Sequence, residues 1–186
     1  MLDVIIPTLN TQLKTLKYFE QRFELAGQIT DGNGKVQPKI YCTKGQLDSI
    51  NLDNKNGVSY WRKSDPITVT TEDAEQLVAC LDYYQFTFPL VLVGAVPKDR
   101  LSKDDSYSED RMIITIIKAL AETGLKTALK AKQVDVNPSG YETNNVKVLT
   151  EEYSTVDNIN YNLAYFSLRI DIVVLIRQDC IIGECD

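Results

Sequence analysis

From Tyr161 to Arg177 the chain alternates in hydropathy without a break. Its even positions are Ala164, Phe166, Leu168, Ile170, Ile172, Val174 and Ile176, all apolar. Its odd positions are Leu163, Tyr165, Ser167, Arg169, Asp171, Val173, Leu175 and Arg177. Side chains switch faces along a strand, so the pattern predicts a long β-strand with one wholly apolar face. β-branched and aromatic residues dominate it, as a pleated, half-buried surface favours. At about 3.3 Å per residue such a strand spans roughly 50 Å. Strands usually run about three to ten residues, so this one is expected to pass beyond a single compact core. The odd face carries Arg169 and Asp171 at its centre, with Tyr165 to one side and Val173 and Leu175 to the other. A solvated face would be more polar, and a two-sided core would not hold Arg and Asp. Two readings stand. Either this face meets another copy of the chain at a subunit contact, with Arg169 paired to an acid across it, or the strand has helices on one side and water on the other.

Elsewhere the apolar spacing changes period. Leu2, Ile5, Ile6, Leu9, Leu13, Leu16, Phe19 and Phe23 recur at three- and four-residue steps, predicting an amphipathic first helix with Pro7 near its start and Gly27 after its end. Asp31-Gly-Asn-Gly34 is a hairpin turn between residues 28–30 and 35–42. A calcium loop there would need further acids at fixed positions and a closing Glu, which are missing. Residues 45–57 read as a polar loop with a short strand or turn around Ile50 and Leu52. Residues 58–62 read as a strand that Asp65-Pro66 turns, so that 67–70 pairs back on it. Thr71 followed by Glu72, Asp73 and Glu75 predicts a short capped helix to about Cys80. Residues 85–96 are a second long strand, in which Pro89 implies an edge or a bulge.

Residues 97–110 hold a single aliphatic, Leu101, and are expected to form a mobile surface loop. Loops of this length in compact domains are uncommon and often functional. Its charged members Lys98, Arg100, Lys103, Asp104, Asp105, Glu109 and Asp110 are candidates for contact with a partner or with a channel. Residues 111–132 read as a helix with Ile113, Ile116, Ile117, Leu120, Leu125 and Leu129 inward and Gly124 as a weak point. A polar loop over 133–145 and a strand over 146–153 complete the pattern. The expected fold is α+β, a mainly antiparallel sheet with two long helices, in one domain over 1–186.

Charge and chemistry narrow the function classes. The net charge is −6, so a chain-wide basic footprint for nucleic acid is absent. The charges come in blocks of +2 over 1–70, −6 over 71–110, +3 over 111–147 and −5 over 148–186, which suits an assembly that pairs unlike surfaces. There is no histidine. That removes the commonest general base, imidazole metal ligands and every Ser-His or Cys-His arrangement. Cys42, Cys80, Cys180 and Cys185 contain no CxxC pair, so no zinc site is expected. The N-terminal segment does not read as a secretory signal, and no apolar run approaches a membrane span. A cytosolic product with reduced thiols is expected. No phosphate-binding glycine loop or nucleophile elbow occurs, and Glu-x-Lys, wanted by a metal-dependent nuclease, is missing. The run Tyr60-Trp-Arg-Lys63 could stack on bases, but an aromatic pair packed within a strand is the stronger reading. No catalytic centre, metal or cofactor emerges.

The plan as a whole resembles a known group. A helix at the start, a hairpin-rich middle, an acidic loop-plus-helix insertion and a closing hairpin ending in Asn160-Tyr-Asn-Leu-Ala-Tyr-Phe-Ser-Leu-Arg-Ile-Asp-Ile172 look like the small neck proteins of tailed bacteriophages. These are the tail-terminator, head-completion and ring proteins, those of crAss-like phages included. The resemblance implies a tail-terminator-like fold and a structural virion protein without catalytic residues. It further implies a hexameric or dodecameric ring in the head–tail neck that adjoins portal or tail proteins and lets DNA pass. The alternative is a cytosolic, non-catalytic binding or regulatory module, which would stay small in solution where a ring protein would not.

Overall fold

The computed structural model describes residues 1–41, 47–53, 55–72, 83–101, 108–153 and 159–177. In chain order the elements are α1 (Leu2–Leu13), β1 (Gln21–Leu25), β2 (Gly27–Thr30), β3 (Val36–Tyr41), β4 (Leu47–Ser49), β5 (Val58–Lys63) and β6 (Thr68–Glu72). They continue with β7 (Tyr83–Pro97), a 3-10 turn (Lys98–Arg100), α2 (Ser108–Ala121), α3 (Leu125–Ala128), β8 (Gln133–Glu142), α4 (Asn145–Glu152) and β9 (Leu163–Arg177).

The alternating segment is β9, and it lies antiparallel to β7 over all fifteen of its residues, from Leu163↔Pro97 to Arg177↔Tyr83. Around this pair the large sheet runs β1-β5-β7-β9-β8, with β6 on the same side of β7 as β5 but further along it. Its even-numbered β9 face is covered by helices. Ile5, Leu9 and Leu13 of α1, Met112, Ile113, Ile116 and Leu120 of α2, and Leu125 of α3 form one core with Phe166, Leu168, Ile170, Ile172, Val174 and Ile176. Among the described residues the odd face is covered only at its Leu163 end. There Val148 and Leu149 of α4, together with Ile50 and Leu52, pack on Tyr60, Val91, Val93, Leu163 and Tyr165. A second, three-stranded sheet, β2-β3-β4, adds Ile40 to that smaller core.

Several expectations change. The α+β fold with two long helices is not what forms. The large sheet is mixed, because β1 runs parallel to β5, and the described residues hold four α-helices, the longest of fourteen residues. The first helix stops at Leu13 although the apolar spacing continues, and Phe19 joins the core from beyond the turn, its ring centroid 5.9 Å from that of Phe166. The helix expected over 111–132 breaks after Ala121 and restarts as the single turn α3, with Gly124 as its N-cap. The polar stretch read as a loop is the strand β8, and the segment read as a strand is α4. In α4 the Asn144 side chain accepts from the Lys147 backbone N–H, an N-cap that commits the chain to helix. Residues 67–70 were expected to pair with 58–62, but β6 pairs with β7 instead. The short helix expected from Thr71 to Cys80 falls on 73–80, outside the described residues, while Thr71 and Glu72 end β6.

Other expectations hold. The turn at 31–34 links β2 and β3, with Asp31 Oδ1 accepting from the backbone N–H groups of Asn33 and Lys35 at 2.8 and 2.9 Å. Gly34 takes the positive φ of 79° that the turn requires. Pro89, by contrast, occupies a central strand. It is tolerated because β5 ends its pairing at Leu90 and β6 begins at Thr87, leaving position 89 at the corner between them. There its carbonyl accepts from Ser64 N–H at 3.1 Å and no ladder donor is needed.

Candidate interaction surface

Cover on the odd face ends at Val91 and Arg169, which stand opposite each other on β7 and β9. Beyond them neither Val173 nor Leu175 belongs to a core. The face continues across four strands in registered rows. One row is Thr68, Thr87, Val173 and Asp135, and the next is Thr70, Gln85, Leu175 and Gln133. Arg169 and Asp171 bound this area at one end, and Arg177 opposite Tyr83 at the other. Four strands at about 4.8 Å and nine residues at about 3.3 Å make roughly 19 Å by 30 Å, on the order of 500 Å². Its rows hold two arginines, two aspartates and Glu72, and Lys132 Nζ lies 4.4 Å from the centre of the Tyr83 ring, so three acids meet three bases. Arg169 is exposed, and Arg169 and Asp171 make no ion pair among the described residues.

Of the five residues expected at a subunit contact, the structure groups Arg169, Asp171, Val173 and Leu175 on this open area. Tyr165 does not join them. It is 1 % exposed and lies under α4 in the smaller core, so the chain's own elements already cover it. Two helices could not screen both faces of so long a strand, and they do not. A short helix, read from the pattern as a strand, and the small sheet built on the expected hairpin cover part of the second face.

The limit of the covered half is set by a buried acid. Glu152 at the end of α4 is 1 % exposed, accepting from the Tyr60 hydroxyl at 2.7 Å and from Arg62 Nε at 2.6 Å. Arg62 also reaches Glu151 at 3.6 Å. Both partners stand on β5, so the cluster fastens α4 to the sheet. Tyr60 and Trp61 are fully buried, and Trp61 Nε1 donates to Asn10 Oδ1 at 2.9 Å. These rings are packed in the strand rather than offered to bases. Burial pushes the Tyr60 phenol well above its ordinary value, and the Glu152 charge adds to the effect. Burial pushes Tyr153 up to about 12. Unfolded phenols ionise near 10, so from there to about 12 the unfolded chain binds fewer protons than the folded one, and stability falls as pH rises. An ultraviolet titration is expected to show a late phase to which Tyr153 and Tyr60 contribute. Phe variants at the two positions should each reduce its amplitude, and an unchanged late phase in both would refute the assignment.

The charged segment expected as a loop divides into parts. Lys103, Asp104 and Asp105 lie outside the described residues. Lys98 and Arg100 form the 3-10 turn after β7, and Glu109 and Asp110 open α2. Lys98 Nζ stands 3.7 Å from Glu109, and Asp110 accepts from the Tyr141 hydroxyl at 3.0 Å. Arg100 is a strut. Its guanidinium donates to the carbonyls of Lys17, Tyr18 and Asn56 and to Glu20 Oε1 at 2.6 Å. Beside it Gly57 takes φ 76°, and a Cβ there would sit 2.0 Å from the Tyr18 carbonyl oxygen. The turn after β7 also borders a half-open cleft of about 420 Å³ lined by Lys55, Lys98, Asp99, Asn160, Tyr161 and Asn162.

No protein-family model matches this chain, and no curated protein matches it. Its function therefore rests on its own geometry. Two features distinguish the surface just described: a polar stretch that no described element covers, beyond the part under α4, and the helices α1, α2 and α3 gathered on the opposite face. Among the described residues no group of three acids and cysteines is placed to hold a metal ion, and no helix is long and apolar enough to cross a membrane.

Proposed function

We propose that this protein is a structural component of a virion, forming a homo-oligomeric ring in the head–tail neck of a tailed bacteriophage. The observation that carries the reading is the one-sided cover of the sheet. Helices α1, α2 and α3 back the even face, while the part of the odd face that carries Arg169, Asp171 and Asp135 is covered by no described helix or second sheet. A sheet of this kind suits the wall of a ring, with helices outward and the open face toward the channel. Affinity for DNA grows with the number of phosphates that cations neutralise. A wall whose arginines are matched by aspartates therefore holds passing DNA loosely, as a conduit must. The ring would stack on portal or tail proteins through its rims, to which the Lys98–Arg100 turn at the end of β7 would contribute.

The cleft beside Lys55, Lys98 and Tyr161 supports a second reading, a non-catalytic binding module. Mass in solution separates the two. Light scattering with negative-stain microscopy is expected to show a multi-copy particle with a central hole. A species of 21.0 kDa that persists at high concentration would overturn the ring in favour of the module.

A further inference from the structure

We infer that two edges of the large sheet that pair with no further described strand, β6 and the first half of β8, are the two halves of a joint between copies of this chain. In that joint β8 of one copy pairs antiparallel with β6 of the next. The inference rests on the ring reading above and supplies its lateral contact.

Strand direction comes first. The four strands β6-β7-β9-β8 are antiparallel at every step. Four is an even number, so β6 and β8 point in opposite directions. A second copy set beside the first in the same orientation therefore lays its β6 antiparallel to β8, with the same face outward.

The chemistry of the edges agrees. Native sheets blunt exposed edges with proline, charge or bulges, because unpaired N–H and C=O groups recruit other strands. β1 has an irregular register between Arg22 and Leu25 and carries Arg22 and Glu24. The second half of β8 has Pro138 and a register shift between Pro138 and Gly140. By contrast β6 keeps register over five residues, Thr68 to Glu72, with neither proline nor charge from Thr68 to Thr71. On β8 the stretch in unbroken register is Gln133 to Asn137, with neither proline nor bulge before Pro138 and with Asp135 as its one charge.

Side chains match as well. Val69, Phe86, Val174 and Val134 form one registered row on the helix-covered face, from one edge of the sheet to the other. Val69 ends that row 51 % exposed. Joining the edges at this level sets Val69 of one copy beside Val134 of the next. Between β8 and the end of α2 runs a groove of about 260 Å³ lined by Ala121, Thr123, Leu125, Val134 and Val136, with room for side chains of an added strand.

Area decides between a dimer and a ring. At this level Thr68–Thr70 oppose Gln133–Asp135, and a joint of about three residues is roughly 10 Å long on a sheet about 10 Å thick, so it buries on the order of 100 Å² per partner. Stable pairs bury about 800 Å² per partner. One joint alone is too small, and a two-fold pairing of β6 with β6 would leave β8 open. A closed ring uses both edges of every copy and leaves neither exposed.

The test is cross-linking in a variant with Cys42, Cys80, Cys180 and Cys185 changed to Ser. Val69→Cys and Val134→Cys are made singly and mixed under oxidation, since opposed strand positions fall within disulfide reach. The expected result is a covalent dimer in the mixture and none in either variant alone, with the double variant giving a ladder of multiples. A disulfide formed by Val69→Cys alone would show the two-fold pairing and overturn the joint. No disulfide in a mixture that light scattering shows to be multi-copy would also overturn it while leaving the ring standing. A single-copy species throughout would remove both. Val69→Lys serves as an independent check, expected to reduce the particle mass to that of smaller species with an unchanged circular dichroism spectrum. A lysine variant that stays fully assembled would overturn the joint.

Discussion

Replacing Ile170 by aspartate is expected to lower the stability of the protein by about 4–5 kcal/mol, while Arg169→Ala, one residue away, changes it by no more than about 0.5 kcal/mol. Ile170 is 1 % exposed and sits in the middle of the main core, where a carboxylate would have no partner and no water. Arg169 points the other way, onto the open half of the sheet. The contrast is the signature of a strand, since successive side chains take opposite faces. Domains are stable by about 5–15 kcal/mol in all, so the Asp variant should sit near the edge of unfolding. Urea denaturation of both variants checks the result. An Ile170→Asp midpoint close to wild type would mean that this face is not buried.

Arg62→Met is expected to cost about 3–5 kcal/mol, because it strands the Glu152 carboxylate in the interior. Glu152 would keep the Tyr60 hydroxyl but lose its cation, and α4 would be fastened to β5 through a desolvated charge. The double variant Arg62→Met with Glu152→Met should recover most of that loss, since a buried ion pair replaced by apolar groups of similar size is often neutral or better. The order of stability, double above single, is the decisive reading. Equal losses in the two variants would show that packing rather than charge holds α4 in place.

The same local–nonlocal division explains which elements were legible. The turn at 31–34 was, because Asp31 and Gly34 determine it with their own side-chain acceptor and positive φ. The strand β9 was, because one buried face writes period-two alternation into the sequence, and β7 was, because a strand buried on both faces leaves a continuous run of apolar β-formers. β8 was not. Its side chains are half-buried or exposed on either face, so selection for burial leaves no alternation to read. In α4 the pattern Val146-Lys-Val-Leu149 admits strand or helix. Val148, Leu149 and Glu152 become one buried stripe only when the smaller core exists to receive them.

The sequence by itself determined the central strand, its apolar face and the presence of Arg169 and Asp171 together on the other. It also determined, through the absent histidine and missing motifs, that no familiar catalytic arrangement was in view. Only the tertiary structure decided that β6 lies against β7 rather than β5, that β1 runs parallel, and that Tyr165 is covered while Val173 is not. The physical reason is the range of the interactions. A turn, a cap or a strand's alternation is set by residues a few positions apart. Which strand lies beside which, and which half of a face receives a helix, depends on contacts between segments as much as a hundred residues apart, such as Tyr60 with Glu152. Such contacts form only when the whole chain has packed.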